Sequence, residues 1–152
     1  PFRPSTASIT FPKLLPSGLE ALVEAAMLSS MSKHTPLTHL ALGGSGEEDL
    51  LNTLLKEAIL PTSLRVLTLW CFSGLKLLEG KGLPHLTSLR WLNIWNCGSI
   101  ESLPEDQLPS SLDLLEIKNC PLLEARYQSQ KGKYWSKTAH IPTIKINDEV
   151  II

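Results

Sequence analysis

At 152 residues, with 43% hydrophobic and 19% charged side chains, the chain is long enough to close one core and too apolar to stay unfolded. A formal charge of −1 concentrates none of the cationic surface that nucleic acid or an anionic membrane requires, so neither is an expected partner. No run of eighteen apolar residues and no basic-then-apolar start occurs, so neither a membrane span nor a secretory signal is expected, and a beginning at Pro1 instead of Met is expected of a fragment.

Residues 1–36 read as an irregular N-terminal segment. Pro and Ser dominate residues 1–18, where only Ile9 and Phe11 offer a short alternating stretch, the remnant of a strand. Leu19, Leu22, Val23, Ala26 and Met27 recur at spacings of three and four and predict a helix over 19–32, with Ser17 placed to cap it. Gly43-Gly44-Ser45-Gly46 then breaks the chain. It lacks the Gly-Lys-Ser/Thr ending of a phosphate loop and reads as a turn. Residues 47–58 predict a second helix, with Glu47, Glu48 and Asp49 at its positive end and Leu50, Leu51, Leu54 and Leu55 along one side.

From residue 37 onward one register repeats. It runs Leu37-x-x-Leu40-x-Leu42, Leu64-x-x-Leu67-x-Leu69, Leu89-x-x-Leu92-x-Ile94 and Leu112-x-x-Leu115-x-Ile117, at intervals of 27, 25 and 23 residues. Each unit is a short strand with one apolar face, which cannot bury itself and must stack on its copies. The predicted fold is an α/β solenoid of leucine-rich repeats spanning 37–123, with parallel strands near 38–43, 65–70, 90–95 and 113–118 on the concave face and helices or 3₁₀ turns on the convex face. Pro61-Thr-Ser-Leu64, Leu86-Thr-Ser-Leu89 and Pro109-Ser-Ser-Leu112 are near-copies that introduce the strands. Phe72, Cys97 and Cys120 share a position past each strand, where a small or apolar plug is expected. Residues 124–152, which include Tyr127, depart from the repeat and predict a C-terminal cap, with Tyr134 and Trp135 as packing aromatics and a last strand near 143–147.

If the leucines point inward, the alternate residues face out. These are Val66, Thr68 and Trp70, then Trp91, Asn93 and Trp95, then Leu114, Glu116 and Lys118, with His39 on the same face. A mostly apolar, aromatic surface of this kind suits a protein partner. Contact with the rest of a longer protein, or cross-strand stacking that only stabilises the sheet, would place tryptophans there as well.

Nothing in the chain points to catalysis. Glu101, Glu105 and Asp106 read as solvated turn acids, and His34, His39, His85 and His140 stand in no metal-ligand spacing. Three cysteines cannot all pair. Cys97 and Cys120 could approach each other, but a buried, reduced column and an intracellular compartment are expected.

Several stretches resemble a known family. They are Leu60-Pro-Thr-Ser-Leu64, Gly80-Lys-Gly-Leu-Pro-His-Leu-Thr-Ser-Leu89, Ser102-Leu-Pro-Glu105, Leu108-Pro-Ser-Ser-Leu112, Glu116-Ile-Lys-Asn-Cys-Pro-Leu-Leu-Glu124 and Trp135-Ser-Lys-Thr-Ala-His-Ile-Pro-Thr-Ile-Lys145. Together they resemble the C-terminal end of the leucine-rich repeat domain of plant coiled-coil, nucleotide-binding, leucine-rich repeat (NLR) immune receptors. The resemblance implies a non-catalytic, cytoplasmic interaction module that contributes to recognising a pathogen effector or a guarded host protein. It also implies contact with the parent's own nucleotide-binding domain. ATP or ADP would bind that domain, and no cofactor is expected on this chain.

Overall fold

The computed structural model describes residues 5–10, 37–43, 48–56, 60–129 and 140–151. The helix expected over 19–32, the turn at Gly44 to Gly46, and Tyr134 and Trp135 lie outside the described residues. Among those described, no helix is long and apolar enough to cross a membrane.

The described strands form one sheet whose spatial order is the order of the chain: β1 (Ser5–Thr10), β2 (Leu37–Gly43), β3 (Val66–Trp70), β4 (Trp91–Trp95), β5 (Leu114–Lys118), β6 (Thr143–Ile146) and β7 (Glu149–Val150). Strands β1 to β6 pair in parallel, and β7 returns antiparallel to β6. Helix α1 (Glu48–Lys56) makes the crossing from β2 to β3, and α2 (Pro121–Ser129) lies between β5 and β6. The two crossings between them carry no α-helix, only the 3₁₀ turns Leu83–His85 and Glu105–Gln107 and a single parallel bridge between Leu77 and Ser102.

Pairing without slip turns the leucine pattern into columns. Leu40, Leu67, Leu92, Leu115 and Ile144 stand side by side, as do Leu42, Leu69, Ile94, Ile117 and Ile146, and all ten are buried. The leucine three residues ahead of the first column is buried in each unit at Leu64, Leu89 and Leu112. It is brought in by the same tight turn each time, since the N–H groups of Leu64, Leu89 and Leu112 donate to Pro61, Leu86 and Pro109 oxygens at 3.2 Å. The Pro, Thr and Ser of the near-copies are residues that favour such turns. On the crossing side, α1 buries Leu51 and Leu55, and its polar residues hold the next crossing: Gly74 N–H donates to Glu48 Oε1 at 2.8 Å and Glu79 N–H to Asn52 Oδ1 at 2.9 Å.

Strands β3 to β6 are each followed by a residue in the left-handed region. Cys71, Asn96, Asn119 and Asn147 have φ of 60, 56, 53 and 50°, and three of the four are asparagine, which tolerates this conformation better than most residues. The kink drops the following residue into the core, so that Phe72, Cys97 and Cys120 are fully buried. The asparagines are themselves linked: Asn119 Nδ2 donates to Asn96 Oδ1 and Asn119 N–H to Asn147 Oδ1, both at 3.0 Å.

The ends differ from a plain reading of the sequence in two ways. Residues 1–36, expected to be irregular apart from one helix and the remnant of a strand at Ile9 and Phe11, contribute β1, which starts earlier and whose Ala7 and Ile9 stand in register with Leu40 and Leu42. Its β-branched Thr6, Ile9 and Thr10 suit a strand, and pairing satisfies an edge of β2 that would otherwise be open. At the other end α2 begins at Pro121, ahead of the boundary expected at 124, with proline in the first helical position where its missing N–H costs nothing. Glu124 in its first turn accepts from Cys120 N–H at 2.7 Å and from the Asn147 side chain, tying helix, strand exit and last strand together. Leu123 and Tyr127 are buried beneath it. The last strand repeats the register in isoleucine, as Ile141-x-x-Ile144-x-Ile146, all buried. Asn147 and Asp148, both left-handed, then make the two-residue hairpin into β7 and leave only a short, charged segment at the edge.

Leu92→Ala, which empties the middle of an inward column, is expected to cost about 2–5 kcal/mol of unfolding free energy. Urea denaturation followed by circular dichroism checks it, with Trp91→Ala on the opposite face as the comparison that should change stability far less.

Candidate interaction face

The same register that buries the leucines sets the alternate residues into three columns on the opposite, open face. They are His39, Val66, Trp91, Leu114 and Thr143; Ala41, Thr68, Asn93, Glu116 and Lys145; and Gly43, Trp70, Trp95 and Lys118. All nine residues expected to face out therefore lie together on this face. They are not equally accessible.

In the third column the tryptophans are held down. A Cβ on Gly43 would lie 2.3 Å from Trp70 Cε2, so the indole of Trp70 rests on the bare backbone of β2 and only glycine leaves room for it. Trp95 is half-buried, donates its indole N–H to Glu116 Oε1 at 3.2 Å, and carries Lys118 Nζ 5.4 Å from its ring centroid. Lys118 also reaches Asp148 at 3.0 Å and Glu116 at 3.6 Å. Its bond to Asp148, with the nearby Glu116 charge, raises its pKa above the ordinary lysine value. The middle column is polar and closed: Asn93 Nδ2 donates to Thr68 Oγ1 at 3.1 Å, and Thr68 is 7% exposed. Thr68 thus departs from the expectation of an open binding residue, because its hydroxyl is engaged by the neighbouring strand and its side chain is enclosed by the columns on either side.

The exposed anchor is Trp91, with 48% of its surface open, between the half-buried Val66 and Leu114. It borders a shallow depression of about 440 Å³ lined with His39, Arg65, Val66, Arg90 and Asp113. A second depression adjoins it at Arg65, Arg90 and Asp113 and is walled by Thr87, Ser88, Ser110 and Ser111. Arg90 and Asp113 form an ion pair through the guanidinium Nε and Nη2. Inspection of the alternating strand positions passes over Arg65, Arg90 and Asp113, because each stands one residue before its strand. Their common place ahead of Val66, Trp91 and Leu114 is the signal that groups them.

Other chemistry finds little footing. Cys71, Cys97 and Cys120 are all free thiols. Cys97 Sγ lies 3.4 Å from Trp95 O, and Cys120 Sγ lies 3.2 Å from Lys118 O and 3.4 Å from Ile94 O, so both thiols donate to the backbone as the strands turn out of the sheet. Contact with Cys120, added to burial, pushes the Cys97 thiol well above the ordinary range. Among the described residues no group of three or more His, Cys, Asp or Glu side chains is arranged to hold a metal ion. Glu101, Asp106, His85 and His140 are exposed, and the described cysteines at the plug position are sealed away from the histidines' solvent-facing surface.

The chain is 26% identical over 114 residues to a "Putative disease resistance protein" of Arabidopsis thaliana, a match covering 75% of this chain and 8% of that protein. The relationship to plant disease resistance proteins is distant. The chain spans a small part of that relative's length, and no protein-family profile and no solved structure matches it.

In the native protein Cys97 and Cys120 are expected to react with a maleimide at least about tenfold more slowly than the half-buried Cys71, because both thiols are buried and a raised pKa further withholds the Cys97 thiolate. Mass spectrometry of timed alkylation, with a urea-unfolded control in which the three rates converge, checks this.

Proposed function

We propose that the chain is a leucine-rich solenoid, the C-terminal repeat region of a plant cytoplasmic NLR immune receptor, and that it acts as a non-catalytic protein-interaction module contributing to recognition of a pathogen effector or a guarded host protein. The observation that carries the reading is Trp91, a large indole half open to solvent on an otherwise well-satisfied parallel sheet. Aromatic side chains so placed bury much area on association at small entropic cost. The distant likeness to a disease resistance protein and the leucine register support the setting. In this reading the nucleotide, ATP or ADP, belongs to another domain of the parent, and the chain supplies a surface.

The alternative function, an arm that contacts the parent's nucleotide-binding switch and holds it inactive without touching a ligand, uses the same face. The packing of Trp70 on Gly43 and the bonding of Trp95 to Glu116 and Lys118 favour a structural role for those two residues in either case. The recognition reading therefore narrows from nine residues to Trp91 with its neighbours Val66 and Leu114.

Full-length receptor carrying Trp91→Ala, at normal accumulation, is expected to lose its triggered defence response while its resting activity stays unchanged. Cell-death and reporter assays with and without the eliciting pathogen strain measure both. A rise in resting activity would favour the inhibitory arm, and no change in either would remove Trp91 from both functions.

A further inference from the structure

We propose that the rim where β3, β4 and β5 begin binds an acidic segment of a protein partner, its carboxylates meeting Arg65 and Arg90 and an adjacent apolar side chain lying on Trp91. The proposal rests on the reading of the open face as an interaction surface and names the chemistry of what that surface takes.

Arg65, Arg90 and Asp113 occupy one row. The N–H of Arg65 donates to Thr38 O at 2.7 Å, that of Arg90 to Arg65 O at 2.8 Å and that of Asp113 to Arg90 O at 2.7 Å, so the three backbones are laced side by side at about the 4.8 Å spacing of neighbouring strands. The row reads plus, plus, minus. Arg90 and Asp113 neutralise each other, and among the described residues Arg65 has no carboxylate at ion-pair distance. One exposed guanidinium is left over, in a planar geometry that matches a carboxylate.

The surroundings suit an anion with an apolar neighbour. Arg65 and Arg90 are shared by both depressions, one floored by Val66 and Trp91, the other walled by hydroxyls of Thr87, Ser88 and Ser110. An incoming carboxylate can take Arg65 and the hydroxyl donors while the next side chain covers the indole. A cationic segment would meet Arg65 with like charge, and a nucleic acid would meet Asp113 and Glu116 on a chain of net charge −1. Asp113 supplies an internal precedent: its carboxylate already sits on the Arg90 guanidinium, and so competes with the partner for it.

That competition gives a test by gain of function. Isothermal titration of the full chain uses the blocked peptide Gly-Glu-Glu-Phe-Glu-Glu-Gly and its counterpart with Gln for Glu, comparing only variants that melt like wild type. The acidic peptide is expected to bind at least about tenfold more tightly than the Gln peptide, and less tightly as salt rises. Arg65→Ala should weaken it about tenfold, and Asp113→Asn, which frees Arg90, should tighten it about threefold or more. Equal binding of the two peptides, no binding of the acidic peptide below about 1 mM, or an unchanged affinity in Asp113→Asn together with Arg65→Ala would overturn the proposal. If both peptides bind equally and Trp91→Ala abolishes both, the acidic chemistry fails while the open face stands as an interaction surface. If the Arg65 dependence holds but the receptor's triggered response ignores Trp91, the binding chemistry stands and the immune reading fails.

Discussion

In-register pairing of successive parallel strands is the constraint on which everything else here depends. Because side chains alternate along a strand, a slip of one residue between β3 and β4 would move Leu92 and Ile94 to the open face and drive Trp91, Asn93 and Trp95 into the core. The two inward columns of leucine and isoleucine make that slip prohibitive, since each buried aliphatic side chain contributes about 1.5–3 kcal/mol and a slip forfeits two per strand. The open face is thus fixed by the core. Its three columns, and the charged row that precedes them, are aligned because the leucines are.

What keeps the units stackable is the way each leaves the sheet. A left-handed residue after each of β3, β4, β5 and β6 turns the chain within one residue, and asparagine at three of the four accepts that backbone at modest cost. The buried Phe72, Cys97 and Cys120 that follow are consequences of the kink, with the two thiols adding weak hydrogen bonds to the Trp95 and Lys118 carbonyls, which also accept from the Cys71 and Asn96 N–H groups. At the C-terminal end Glu124 joins the cap helix to Cys120 and Asn147, so the last isoleucine strand is locked to the same ladder that orders the rest.

The strand cores were legible because Leu-x-x-Leu-x-Leu states both the period and the buried face. The two crossings without an α-helix were legible too, since 25 and 23 residues leave little room beside a strand and its turns. The asparagines were less so: Asn96 and Asn119 were visible as neighbours of the cysteines, but a left-handed φ is a backbone property with no periodic mark. β1 was nearly hidden, because Ala7 and Ile9 take part through register with Leu40 and Leu42 instead of through a leucine pattern of their own. On the open face, alternation located nine candidates and could not rank them. The rank comes from neighbours 21 to 27 residues away, namely the bare backbone at Gly43 under Trp70, Glu116 beside Trp95 and Asn93 beside Thr68. Arg65, Arg90 and Asp113 escape an alternation rule because they precede the strands, and their kinship emerges only when the units are laid side by side.

The proposed function requires that the face carrying Trp91 stand open in the unstimulated full-length protein, ready for a partner. Hydroxyl-radical footprinting of the unstimulated full-length protein, read by mass spectrometry at single residues, tests it most directly. The account predicts that Trp91 is oxidised several times faster than the half-buried Trp70 and Trp95, as its greater exposure requires. Oxidation of Trp91 no faster than that of Trp95 would contradict it, and would mean that another part of the full-length protein already covers the face.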